Sequence, residues 1–337
     1  PQNAAAPAFT LNPPVSTIFV ADPDLKLPRT YQWSLALDQS IGSDQSLSVT
    51  YIGAAGRDLL RTTQLVNPNP TFQSVAITDN SASSDYHAMQ IKFQRRLSRR
   101  FQALASYTYS HSIDIASSDA SSNFNTATTI APPNVDRGNS DFDVRHSFTA
   151  GTTYDLPFPS SQRIAHHIFG GWSFQTFILA RSAPPVNIAG ATFVAAGTLL
   201  APRPNLVAGV PLEIHGSQFP GGKIFNRAAF AAAPAGTQGN FGRNVLRGFG
   251  AWQVDAGLQR QFQLTERFAL RFRAEFFNLF NHPNFGSPTN LLTSPLFGFS
   301  TQTLANSLGS GGANGGFNPL YQVGGPRSIQ FALKLQF

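Results

Sequence analysis

At 337 residues the chain is long enough for two soluble domains or one large barrel, and only 12% of it is charged, against about 25% in ordinary soluble domains. It has 30 Phe, no Cys and no uninterrupted apolar run of roughly 18 residues, which excludes a disulfide framework, a thiolate metal site and a membrane-spanning helix. The net charge of +7 is scattered apart from Arg95-Arg96 and Arg99-Arg100, which flank a tight turn, so the bases read as solvated turn residues and not as a nucleic-acid surface.

Residues 1–29 contain Pro13-Pro14 and Asp22-Pro23 and read as loop. The start at Pro1, without an initiator Met or an apolar leader, reads as the continuation of a longer polypeptide. Residues 1–29 would then link a missing N-terminal part to a barrel segment over 30–337. A first strand is expected from Thr30 to Ile41, with Tyr31, Trp33, Leu35 and Leu37 on one face. Gly42-Ser43-Asp44 turns it into a second, Ser46 to Ala55, carrying Leu47, Val49 and Tyr51. The stretch from Gly56 to about Asp85, with Asn67-Pro68-Asn69-Pro70 inside it, reads as a long polar loop.

A third strand, Tyr86 to Leu97, sets His87, Met89, Ile91 and Phe93 on one face, and Ser98-Arg99-Arg100 turns it. The fourth, Phe101 to His111, carries Phe101, Ala103, Ala105, Tyr107 and Tyr109. After a second long loop to Val144, the fifth, Arg145 to Leu156, carries Phe148, Ala150, Thr152 and Tyr154. The sixth, Gly171 to Arg181, carries Trp172, Phe174, Thr176 and Ile178. Residues 182–251 are irregular in pattern, with room for a strand pair that periodicity does not place. The seventh strand, Trp252 to Phe262, and the eighth, Phe268 to Leu279, are joined by a short turn. Phe268, Phe272, Phe276 and Phe280 also fit a helical stripe, but the tie to the seventh strand favours β. A last long loop, Gly-rich at Gly309 to Gly316, leads to a ninth strand in which Ile329, Phe331, Leu333, Leu335 and Phe337 alternate with polar residues.

Connections alternate short and long, the strands run to about 10–12 residues, and the opposite face is polar. That is the pattern of an all-β, antiparallel transmembrane barrel with short periplasmic turns and long external loops, here a partial barrel of about nine to eleven strands. Interfacial girdles are expected from Tyr31, Trp33, Tyr107, Tyr109 and Trp252 at the external end and from Tyr154 and Trp172 at the periplasmic end. Arg260 faces outward and is expected to snorkel toward the nearby turn. The first and last strands should present unpaired edges.

Several stretches resemble the TonB-dependent receptor superfamily, and its Oar-like branch of acidobacterial type in particular. They are Ser84-Asp85-Tyr86-His87-Ala88-Met89-Gln90, Ala105-Ser106-Tyr107-Thr108-Tyr109-Ser110, Asp143-Val144-Arg145-His146-Ser147-Phe148, Phe225-Asn226-Arg227-Ala228-Ala229-Phe230, Gly239-Asn240-Phe241-Gly242-Arg243-Asn244, and Asn278-Leu279-Phe280-Asn281-His282-Pro283. The resemblance spans most of 30–337 and implies an outer-membrane barrel with an N-terminal plug, energised through TonB for uptake of a solute whose identity the sequence does not carry. It implies membrane lipid and lipopolysaccharide, the barrel-assembly machinery and the TonB complex as partners. It also makes Ile329, Phe331, Leu333, Leu335 and Phe337 the assembly signal.

Catalytic chemistry is not indicated. The seven His residues form no ligand spacing, and HExxH, GxSxG and P-loop patterns are absent, so no catalytic, metal or cofactor residues are expected. His166-His167 read as a surface pair, and His282 as turn chemistry. Arg271 and Arg273 on the polar face would attract an anion unless Glu275 neutralises them. Two other readings remain open at this point: a structural or adhesive surface barrel without transport, and a soluble secreted β-sandwich that binds glycans.

Overall fold

A computed structural model describes residues 18–117, 133–157, 170–190, 193–195, 198–200, 202–234, 237–307 and 323–337. All nine expected wall strands form. They are β1 (Arg29–Ile41), β2 (Gln45–Asn69), β3 (Phe72–Ser98), β4 (Phe101–Asp114), β5 (His146–Asp155), β6 (Trp172–Arg181), β7 (Ala251–Gln263), β8 (Ala269–Phe277) and β9 (Ser328–Gln336). They lie in chain order, each antiparallel to its neighbours, as one meander with β1 and β9 at its two open edges. Two short additions complete the sheet. Gly138–Asn139 pairs with the end of β4, and Ile18–Ala21 pairs in parallel with Val75 to Thr78. The stretch 18–21, expected to be loop, is therefore strand.

Register unites the apolar sets of all nine strands on one face. A single row runs Leu37, Val49, Ile91, Tyr107, Phe148, Ala180 and Trp252. Another runs Phe174, Leu258, Ala274 and Phe331. The opposite face holds rows such as Asp38, Ser48, Lys92, Ser106 and Thr149. Because side chains alternate with period two, a one-residue slip of any strand would exchange these faces. The apolar face is left open: Leu35, Leu37, Phe331 and Leu333 are each at least two-thirds exposed. A water-soluble domain buries such a face; a membrane wall presents it to lipid.

Three further expectations change. First, the polar stretch 56–85 is not a loop. β2 and β3 continue through it as a twisted ribbon with shifts of register after Gly56, Leu59 and Val66. Its β-branched residues Thr62, Thr63, Val75, Ile77 and Thr78 favour the extended backbone. The Asn and Pro residues only make the tip, where Asn69 Oδ1 accepts from Thr71 N–H (2.9 Å) and Phe72 N–H (3.1 Å). Second, Arg260 does not snorkel into water. It is 7% exposed, with its guanidinium 4.3 Å from the Phe262 ring centroid and 5.7 Å from that of Trp172. Third, residues 182–251 contain not one strand pair but several. Phe193–Ala195 pairs with Thr198–Leu200, Asn205–Leu206 with Phe230–Ala231, Glu213–His215 with Lys223–Phe225, and Pro185–Val186 with Leu246–Arg247.

The expected tight turn at Arg99-Arg100 forms with both residues at positive φ (48° and 68°). The Gly-rich 309–316 stretch and the His166-His167 pair lie outside the described residues.

Candidate functional site at the loop-bearing rim

The long connections fold into a cap at one end of the wall. Val186, Ile188, Phe225, Ala229, Phe230, Phe241, Leu246, Leu292 and Phe297 form its core. Phe230 packs edge-on against Phe241 and Phe297, with centroids 5.0 and 5.7 Å apart. The core takes residues from both the 182–250 and the 281–307 connections. Backbone bonds join them, from Leu292 N–H to Ala189 O (2.8 Å) and from Ala189 N–H to Asn290 O (3.0 Å). Gly298, at φ +82°, lies against Phe225, and a Cβ there would stand 2.5 Å from the Phe225 carbonyl oxygen.

Ion pairs clamp this cap to the wall. Arg243 binds Asp114 at the end of β4, and it donates to Ser117 Oγ (2.5 Å) and Asp141 (3.2 Å). Arg247 donates to Asp143 Oδ2 (2.5 Å), which also accepts from Arg145 Nε (2.9 Å). Arg203 reaches Asp136 (2.7 Å), which also binds Arg61 of the β2 ribbon. Arg61, Asp114, Asp143, Arg203 and Arg243 are all buried. Isolated charges there would be costly, so each is paired and hydrogen-bonded. Burial pushes the Asp143 carboxyl up. The Ser112 N–H bond and then the Arg247 bond oppose this, with the charges of Arg145 and Arg247 adding to them, and the net effect holds the carboxyl below its usual range.

These contacts explain the sequence stretches quoted above. Gly239 lies so close to Pro204 that a Cβ would clash with its backbone. Asn240 accepts from Leu206 N–H (2.8 Å), Phe241 enters the core, and Arg243 clamps the cap to the wall. Asn244, at φ 56°, donates to Asn139 O (2.7 Å) and Asp141 (2.6 Å). Asn226 caps the turn at Arg227–Ala229, between core residues Phe225 and Phe230. Asn278 holds the turn after β8, with its amide bonded to both the N–H and the C=O of His282 (2.9 Å each). Asn284 pairs both backbone groups of Trp252, at 2.9 and 3.0 Å. Asp85 binds Arg57 and Arg137 (2.6 Å each).

Among the described residues, two concavities stand out, one in the cap and one on the polar face of the wall strands. One, of ≈ 790 Å³, lies in the cap beside Ile224, Phe230, Leu292, Pro295 and Phe299, with Arg227 among its lining residues. The other, of ≈ 440 Å³, includes polar-face residues Gln102, Gln175, Asp255, Arg273 and Glu275 in its lining. Both volumes fall in the ligand-site range of about 300–1,000 Å³. Arg273 is neutralised by Glu275 (2.7 Å), and Arg271 contacts Gln261 (3.4 Å). Among the described residues no group of three or more His, Cys, Asp or Glu is arranged to hold a metal ion.

The expected interfacial aromatics all lie on the apolar face. Tyr31, Trp33, Tyr109, Tyr154 and Trp252 are exposed, while Tyr107 and Trp172 are half-buried. At the cap end they meet histidines: His87 sits between Trp33 and Tyr51, His146 between Tyr107 and Tyr109, and His282 stacks on Trp252 at 4.2 Å. Ile329, Phe331, Leu333 and Leu335 pair with Phe276, Ala274, Phe272 and Leu270, and Phe337 stands free beyond β9. Sequence reasoning missed the cap and the Arg–Asp clamps. The Gly, Asn and Arg residues within 239–244 were their only local signal.

Comparison with known proteins bears on the fold. Residues 1–330 match the family described as outer membrane beta barrel domain. The outer membrane transporter YddB from Escherichia coli superposes with a TM-score of 0.53 at 11% identity, over 93% of this chain and 33% of that one. The ferric preacinetobactin receptor BauA from Acinetobacter baumannii gives a TM-score of 0.47 at 12% identity, over 91% and 29%. The FrpB iron transporter from Neisseria meningitidis gives 0.45 at 12%, over 95% and 33%. The chain thus spans about a third of the length of these structures. No curated protein matches it in sequence.

Proposed function

We propose a function from one premise: this chain belongs to the outer membrane beta-barrel domain family and resides in the outer membrane. It forms part of the wall and the external mouth of a TonB-dependent receptor of Oar-like type, which takes up a solute under energy supplied through a plug and TonB. The observation that carries the reading is the cap. Two long connections share one core and are clamped to the wall by Arg–Asp pairs whose carboxylates are buried, so the mouth carries a built concavity instead of independent loops. The fold shared with an outer membrane transporter supports it. Outer-membrane residence leaves no place for a soluble glycan-binding sandwich.

The test uses the native protein, extracted from the outer membrane of the producing cell. We expect an intact mass several times the 36.3 kDa of this chain, and a photocrosslinked adduct with TonB in living cells. A mass near 36.3 kDa together with no TonB adduct would replace transport with a structural or adhesive barrel.

A further inference from the structure

The apolar face carries one built notch, at its cap end. Across the wall the row Tyr107, Phe148, Ala180, Trp252 has a gap, because Ala180 stands between two aromatic residues. The next row toward the rim is equally small there, with Ser182 and Gly250 beside His146. The result is a concavity of ≈ 390 Å³ with small residues for a floor and Tyr107, His146, Phe148 and Trp252 for walls. One row deeper on the same face, the register places the aliphatic residues Ala150, Ile178 and Val254.

Three of the four walls, Tyr107, His146 and Trp252, are fixed from behind. His146 Nδ1 is bonded to Tyr107 Oη at 2.8 Å, and its ring packs on Tyr109 at 5.2 Å. Trp252 is stacked on His282 at 4.2 Å, with Phe280 at 6.0 Å, and its backbone is held by Asn284. A concavity whose walls are already ordered loses little entropy when it is filled. Its rim is polar, since Ser182 Oγ accepts the His146 N–H at 3.0 Å and Arg181 is among the lining residues, while Phe148, Ala180 and Trp252 make the remainder apolar.

We propose that this notch is a binding site for one lipid of the outer leaflet. An acyl chain lies between Phe148 and Trp252 over Ala180, and the headgroup sits at the level of His146 and Ser182. The proposal rests on the reading that this face meets lipid. It adds a specific site to a surface otherwise covered by exchanging chains. The occupant follows from position, because the notch opens on the membrane side of the wall, at the end that bears the long external connections. An amphipathic molecule with its polar end at the rim matches that polarity.

The experiment is native mass spectrometry of the full-length protein, delipidated in mild detergent and offered lipid A, with deacylated lipid A as the headgroup-only probe. Wild type should retain one lipid A through collisional activation and no deacylated probe. Ala180→Phe fills the gap and Trp252→Ala removes a wall, and each should lower the retained fraction at least fivefold. Leu37→Phe, on the same face but at the far edge of the sheet, should leave retention unchanged. Heat-modifiable mobility identifies variants that have folded. Retention in folded Ala180→Phe and Trp252→Ala equal to wild type overturns the site, as does equal retention of the deacylated probe. A wild-type protein that stays monodisperse without detergent overturns instead the reading that this face meets lipid.

Discussion

Replacing Asp143 by Asn should loosen the cap without unfolding the wall. The Asp143 side chain has no exposed surface and accepts Ser112 N–H (2.8 Å), Arg145 Nε (2.9 Å) and Arg247 Nη2 (2.5 Å). Removing one partner of a buried pair costs about 3–5 kcal/mol. Arg145 and Arg247 keep 30% and 26% of their side-chain surface in water, which brings the expected cost down to about 2–3 kcal/mol. Asn preserves volume and can still accept the Ser112 bond, so the loss reports charge and not a cavity. The readout is hydrogen exchange at residues 243–247 and at Ser112 in the full-length protein. Local opening easier by 2–3 kcal/mol corresponds to protection lower by about 30- to 160-fold there, with β7 and β8 unchanged. The pH dependence has a definite sign. The folded carboxyl is held below its usual value near 3.9, so its stabilisation is present above that pH and is lost as pH falls through the folded value. Wild type and variant should therefore converge in acid. Equal protection in the two proteins at neutral pH would refute the clamp.

Deleting Phe337, which stands 95% exposed beyond β9, should impair membrane assembly of the full-length protein, seen as loss of heat-modifiable mobility; normal mobility would remove its assembly role. A Cβ at Gly53 would lie 2.2 Å from the Trp33 ring, so Gly53→Ala should displace that ring and cost about 1–3 kcal/mol. An unchanged Trp33 emission spectrum, read in a variant with the other tryptophans replaced, would count against that packing. Arg99 and Arg100 both take positive φ, so Arg99→Asn with Arg100→Gly should stabilise the β3–β4 turn by about 1–2 kcal/mol, measured by urea unfolding in lipid vesicles. No gain would mean that the two arginines make compensating contacts.

Much of the wall was legible in the residues. Period-two alternation is local, so Tyr31 to Leu37 or Ile329 to Leu335 discloses a strand and its two faces without reference to any other part of the chain. The alternation of connection lengths then orients the strands. The same reading failed at 56–85, where Asn and Pro at the ribbon tip outweighed the β-branched residues on either side.

The sequence by itself determined the nine wall strands and which of their faces is apolar, because backbone geometry imposes that spacing on neighbours along the chain. Only the tertiary structure decided the cap, the clamps and the notch. Phe225 meets Phe297, Arg243 meets Asp114, and Ala180 falls between Phe148 and Trp252. These partners lie tens of residues or more apart and follow no period. Their meeting depends on how the strands register and where the long connections come to rest, which no local pattern encodes.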